Sequence, residues 1–182
     1  MKKIFFSLAL LLTIHSLFAQ STAEYTQVLS RFEQWKTVQY NAGNYARPAG
    51  CKMEIVTKEG YKGPVAGIPK EIAIYFSDIN QDGKTDGLIT FNPVQCDGGN
   101  AMMNVQARVM IISKGASWVT DDKYIENMEA KKDGWLSVSG AREGTIFGTY
   151  YAYGTDDPRC CPSIKKLFTI DYKTKKLLIE SD

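Results

Sequence analysis

The chain has 182 residues, with 22 Lys and Arg against 20 Asp and Glu and a single histidine, His15. Residues 1–19 read as a secretory leader, and without them basic and acidic residues stand at 20 each and no histidine remains. That excludes Ser-His-Asp and Cys-His catalysis and any His-containing zinc site from the mature chain. It also removes the basic excess that a nucleic-acid partner would call for.

The leader is built from Lys2 and Lys3, an apolar core from Ile4 to Leu12, and Leu17-Phe18-Ala19 before Gln20. A charged start, a short apolar core and a small residue are the marks of a signal peptide, here with cleavage after Ala19. Thr13, His15 and Ser16 interrupt the run, so an uncleaved membrane anchor is not expected. No cysteine follows the cleavage point, which argues against lipid anchoring. The mature chain, 20–182, is expected to be a single domain, periplasmic or secreted, with no membrane span.

Ser21 or Thr22 can cap a first helix, with Glu24 placed to close a capping box with Ser21. Tyr25, Val28, Leu29, Phe32 and Trp35 then recur at helical spacing and predict one wide apolar stripe, ending near Tyr40. Residues 51–57 alternate and predict a strand, whereas 59–70, with three glycines and two prolines, predict loop. Strands are expected over 71–76 and 88–91.

Between those two strands lies Asp78-Ile79-Asn80-Gln81-Asp82-Gly83-Lys84-Thr85-Asp86. Oxygen-bearing side chains at its first, third, fifth and ninth positions, with glycine at the sixth, give the ligand spacing of a calcium loop. The twelfth position is Ile89 where an EF-hand needs glutamate, so an EF-hand is excluded. The shorter pattern that remains is similar to the loops of dockerins, thrombospondin type 3 repeats and integrin-type repeats. That resemblance implies calcium ligands from the side chains of Asp78, Asn80 and Asp82, the carbonyl of Lys84, and Asp86 directly or through water. The competing reading is a hairpin turn in which Asp and Asn bond their own backbone.

Asn92 to Asn100 reads as a tight glycine-rich turn, because it lacks the Lys-Ser/Thr of a phosphate loop. A long strand is expected over 101–113, with Val105, Ala107, Val109 and Ile111 on one face. Thr120-Asp121 can cap a short helix through Tyr124, Ile125 and Met128, stopped near Gly134. Strands follow over 135–138 and 144–153. In the latter, Phe147, Tyr151 and Tyr153 share one face and Tyr150 takes the other. Residues 167–172 and 176–179 predict a closing hairpin.

Four cysteines, Cys51, Cys96, Cys160 and Cys161, fit a disulfide framework in an exported chain. Bonding the adjacent pair needs a strained ring, so Cys51 and Cys96 are each expected to take one member of it. Each closed loop would stabilise by roughly 2–4 kcal/mol. A redox thiol pair lacks both Cys-x-x-Cys and a histidine.

The acidic loop together with Asp157-Pro158-Arg159-Cys160-Cys161-Pro162-Ser163 resembles a loose group of exported or lipid-anchored bacterial proteins, among them mycobacterial lipoproteins of the LppP/LprE type. The resemblance spans about 72–179 and implies a small exported disulfide-bonded domain, with no activity attached. This chain departs from the group in lacking the lipoprotein cysteine.

The expected fold is α+β: one antiparallel sheet of about six or seven strands packed on the long first helix, with a second short helix. The expected role is a non-enzymatic exported binding module with a structural calcium and a protein partner. A narrower form is an inhibitor or immunity protein that blocks a toxin or hydrolase. The rival from another class is a carboxylate-dependent hydrolase drawing on Asp82, Asp86, Asp97, Asp156 and Asp157.

Overall fold

A computed structural model of the chain describes residues 2–47, 56–58, 61–63, 66–94, 106–158 and 161–181, with side chains from residue 22 onward except in 56–58 and 61–63. Helix α1 is Lys2–Asn41 and helix α2 is Tyr124–Glu129. The strands are β1 Val56–Lys58, β2 Tyr61–Gly63, β3 Ala73–Ser77, β4 Asp86–Phe91, β5 Ala107–Lys114 and β6 Ser117–Asp121. After α2 come β7 Gly134–Arg142, β8 Thr145–Ala152, β9 Ile164–Asp171 and β10 Lys176–Ile179. Among the described residues no helix is long and apolar enough to cross a membrane.

The α+β class holds, with antiparallel pairing throughout the named strands. The single sheet of six or seven strands does not. Two four-stranded sheets form instead, in the orders β3-β4-β5-β6 and β10-β9-β8-β7, beside a small β1-β2 hairpin. The break falls at α2, where the chain leaves the edge of the first sheet and begins the second on its far side. Burial explains why one sheet is insufficient. All six residues of β4 are buried, so both faces of that strand need cover.

Each face gets a different cover. Ile89, Phe91, Val109 and Ile111 meet Val28, Phe32 and Trp35 of α1. Leu88, Met110 and Ile112 meet Leu136, Val138, Ile146, Phe168 and Ile170 of the second sheet. The molecule is thus three layers, helix on sheet on sheet. Phe32 and Phe168, at 1% and 2% exposure, are the largest fully buried side chains of the two cores among the described residues, and burying such a ring stabilises by about 1.5–3 kcal/mol.

The helical stripe is narrower than its sequence spacing suggests. Val28, Phe32 and Trp35 are buried, but Tyr25 and Leu29 stay 41% and 43% exposed. The buried line passes through Glu24, one turn before Val28. Its Oε2 accepts the Thr85 N–H at 2.9 Å. Glu24 therefore ties α1 to the acidic loop, and the helix runs Lys2–Asn41 with no start at residue 21, where the capping box is expected; the Ser21 side chain lies outside the described residues. The helix comes this close because β4 offers Gly87 beneath it, where a Cβ would lie 2.2 Å from Val28 Cγ1.

Two elements were not foreseen in the chain. Tyr61–Gly63 is a strand inside the expected loop, and Ser117–Asp121 is the edge strand β6, turning from β5 through Gly115 at φ +63°. Asp121 does serve the second helix: its Oδ1 accepts the N–H groups of Lys123 and Tyr124.

Strand β7 is the last strand of its sheet, and an open edge offers unpaired N–H and C=O groups. Side chains from the first sheet and α2 fill that role. Gln106 accepts from Val138 N at 2.7 Å and donates to Val138 O at 3.0 Å. Glu129 accepts from Leu136 N at 2.8 Å while Arg108 donates to Leu136 O at 2.6 Å. Together these three side chains stand in for a neighbouring strand and seat the second sheet on the first.

Gly148 of β8 is required by this packing. A Cβ there would meet Ser137 O at 2.0 Å and the Phe168 ring at 2.9 Å, so the backbone itself would have to move. Gly148→Ala is expected to cost about 1–3 kcal/mol, read as a lower urea midpoint at an unchanged slope.

Candidate functional site

The Asp78–Asp86 loop joins β3 to β4 and sits where the three layers meet. Ile79, fully buried, plugs the core between the sheets. Gly144 N donates to Asp78 O at 3.1 Å and Glu143 N to Ser77 Oγ at 2.8 Å, so the β7–β8 turn leans on the loop. Glu24 holds Thr85 N from the helix side, and Trp118 Nε1 donates to Thr85 O at 3.1 Å.

Within the loop the carboxylates and amide fold back on the backbone. Asp78 Oδ1 and Oδ2 accept from Asp82 N at 2.9 Å and Gly83 N at 2.8 Å. Asn80 Oδ1 also accepts from Asp82 N, and Asp82 Oδ1 accepts from Lys84 N. These are Asx turns, and the left-handed φ of Gln81 and Gly83, 58° and 86°, makes the bend. Lys84 sends its Nζ to Gly115 O and over the Trp118 ring.

Asp86 behaves differently. It is fully buried; Oδ2 accepts from Ile79 N at 2.9 Å and Asn80 N at 3.0 Å, and Oδ1 accepts from Ser113 N at 2.7 Å. Burial pushes its carboxyl above the ordinary 3.8, and the N–H donors of Ser113, Asn80 and Ile79 pull against that rise. Ser113 is the organising residue that the sequence hid. Its Oγ donates to Asp82 Oδ2, its N–H to Asp86, and its carbonyl accepts from Asn80 Nδ2. Only the register of β5 against β4 brings it there.

Asp78, Asn80 and Asp82 are thus gathered on the loop, while Asp86 is sealed beneath it. The accepting oxygens of Asp78, Asn80 and Asp82 take one hydrogen bond each and retain a second lone pair, a donor chemistry that suits a hard cation. Among the described residues, no three His, Cys, Asp or Glu side chains group so as to hold a metal.

A second feature is the outer face of the second sheet. In register, Trp135, Tyr151 and Lys165 form one row, and Phe147, Thr169 and Leu178 another, with Thr149 and Leu167 between them. Phe147, Tyr151 and Tyr153 share this face as their alternation predicts. It is open to solvent, with Leu167 58%, Leu178 53%, Tyr153 46% and Phe147 38% exposed. Trp135 stacks on Tyr151 at 5.7 Å, Tyr153 leans on Trp135, and Lys165 Nζ sits over the Tyr151 ring. A groove of about 410 Å³ runs between Phe147, Leu167 and Leu178.

Of the cysteine framework, Cys161 is disulfide-bonded. Cys51, Cys96 and Cys160 lie outside the described residues, as do Asp97 and Arg159. Asp157 braces the loop ahead of β9. Its Oδ2 accepts from Gly154 N and Ser163 N, both at 2.6 Å, and these donors hold its carboxyl below the ordinary value. Of the candidate hydrolytic carboxylates, Asp82 and Asp86 meet through Ser113, and Asp157 is committed to its own loop.

Compared with known proteins, the chain matches no family profile, no curated protein and no solved structure.

Proposed function

We infer that the chain is an exported, non-enzymatic binding module that takes a protein partner on the outer face of its second sheet. The observation that carries this reading is the open apolar strip of Phe147, Leu167 and Leu178 beside the Trp135–Tyr151–Tyr153 cluster. Contiguous apolar surface of this kind, rimmed by polar residues, marks interaction sites. Aromatic rings with polar tips suit a surface that is wet when free and covered when bound. Lys165 stands at one end of the strip, Lys176 is opposite Asp171 at the other, and Glu180 lines the groove, so the charge around the apolar surface is mixed.

The test is a photo-reactive residue at Thr149, in the middle of the face, in the exported protein in its host. The expected result is one discrete adduct that disappears when Leu167 and Leu178 are both changed to Glu. An adduct unchanged by those substitutions, or no adduct, overturns the reading.

The loop's part in this proposal is structural. Calcium would be held by oxygens of Asp78, Asn80 and Asp82 and the carbonyl of Lys84, with Asp86 anchoring the loop backbone from below. Calorimetry and thermal melting of the mature, oxidised protein are expected to give saturable binding and a higher Tm, both lost in Asp82→Ala. At a hundredfold excess over Kd the gain is about 2.7 kcal/mol. Neither heat nor shift would reduce the loop to a set of Asx turns.

A further inference from the structure

A separate cavity of about 690 Å³ lies between the last turns of α1, the loop that follows it, the start of β5, and α2 with its leading turn. That volume suits a small ligand or one large side chain. It shares no lining residue with the open face of the second sheet or with the acidic loop.

Its walls are aromatic and its charge is unbalanced. Trp35 and Tyr45 stand with ring centroids 5.9 Å apart, inclined at 57°. Of the charged lining residues, Asp122, Glu126 and Glu129 are acidic, and Arg108 and Lys123 are basic. Both cations are already committed. Arg108 is bound to Glu129 at 2.6 Å and to Leu136 O, with its side chain only 7% exposed. Lys123 pairs with Glu126 at 2.7 Å. This leaves Asp122 as the lining carboxylate that forms no salt bridge among the described residues, although its charge is felt by Lys123. Its Oδ2 accepts the neutral Trp35 Nε1–H at 2.8 Å, which fixes the side chain beside the ring and leaves Oδ1 to a ligand. The neighbouring Tyr45 phenol is shifted upward, first by burial and then by the charge of Asp122, with Lys123 pulling the other way.

We propose that this cavity binds a small organic monocation, an ammonium or guanidinium group, with Asp122 as its counter-ion and the Trp35 and Tyr45 rings as its walls. A carboxylate held in place beside aromatic rings offers both a charge-assisted hydrogen bond and a cation–π surface, and the single excess negative charge sets the ligand at one positive charge. The same chemistry can arrive as a free metabolite or as an Arg or Lys side chain of a partner chain.

The experiment is calorimetric titration of the mature, oxidised protein with butylguanidinium, butylammonium, neutral butylurea and anionic butyrate. Saturable binding of one or both cations is expected, with none for butylurea or butyrate. Asp122→Asn keeps an acceptor for Trp35 Nε1 and should keep the wild-type melting profile, yet weaken the cation at least tenfold. Tyr45→Leu, which leaves every charge in place, should weaken it severalfold and provides a second reading should Asp122→Asn unfold. An acetylated, amidated Gly-Arg-Gly peptide distinguishes the sources. Tighter binding than butylguanidinium assigns the site to a partner's side chain, and weaker binding assigns it to a free cation; both support the site. No cation binding, binding indifferent to both substitutions, or a preference for butyrate overturns it.

Discussion

Glu129→Ala is expected to lower stability by about 3–5 kcal/mol. The side chain performs two tasks at once. Its Oε2 neutralises Arg108, which is 7% exposed, and accepts the Leu136 N–H of the edge strand β7. Truncation leaves a buried guanidinium without its counter-charge and a buried N–H without an acceptor. In a chain of this size such a loss lowers Tm on the order of 10 °C. A double variant separates the two tasks. Arg108→Met with Glu129→Leu removes both charges, a change that is often neutral for a simple buried pair. Here Leu136 N and Leu136 O would both lose their partners, so the double variant is expected to remain about 1–3 kcal/mol below the wild type. Full recovery would show that the pair serves only itself and that β7 needs no substitute neighbour.

That pair also marks the limit of what could be read along the chain. The strands β3, β4, β5 and β7 to β10 announce themselves by apolar periodicity, which is a local property. The division into two sheets is not local. It depends on α2 carrying the chain from one side of β4 to the other, and the only hint is that Leu88 and Ile89 are both apolar, which asks for cover on both faces. The acidic loop was legible as a loop because glycine and carboxylates at fixed spacing dictate a turn. Its inner partner, Ser113, was not, because an unremarkable serine acquires meaning only through register. Gln106, Arg108 and Glu129 are likewise ordinary polar residues until β7 is placed beside them. Glu24 differs from its expected role for a related reason. A carboxylate near a Ser-Thr pair looks like a cap, but α1 runs Lys2–Asn41 through these residues, and the carboxylate accepts the Thr85 N–H. The outer face of the second sheet was half legible. Alternation placed Phe147, Tyr151 and Tyr153 together, but only the layer order shows that no described helix lies upon their face.

Asp86→Ala is expected to cost about 4 kcal/mol or more and to loosen the whole loop. Three N–H groups, of Ile79, Asn80 and Ser113, point at this one carboxylate in a fully buried site, and each unsatisfied buried donor costs about 1–3 kcal/mol. Asp86→Asn should cost less. Its remaining oxygen can serve Ile79 and Asn80, leaving the amide NH₂ opposed to Ser113 N. The same pair of proteins reports on the charge. Because burial raises the Asp86 carboxyl above 3.8 in the folded state, the folded protein keeps a proton that the unfolded chain has lost across the interval between the two values. Stability from this group is therefore greatest below that interval, falls as pH rises through it, and is level above it. Asp157 has the opposite sign. Its lowered carboxyl supplies stability above the ordinary value and loses it as pH falls through the folded one. Urea unfolding of the wild type and Asp86→Asn from about pH 3 to pH 7 isolates the Asp86 contribution, since every other titration is common to both. The wild type is expected to gain on the variant as the solution is acidified. A wild type that instead loses ground in acid would mean that the three N–H donors outweigh burial, and that the loop is held together by a buried anion.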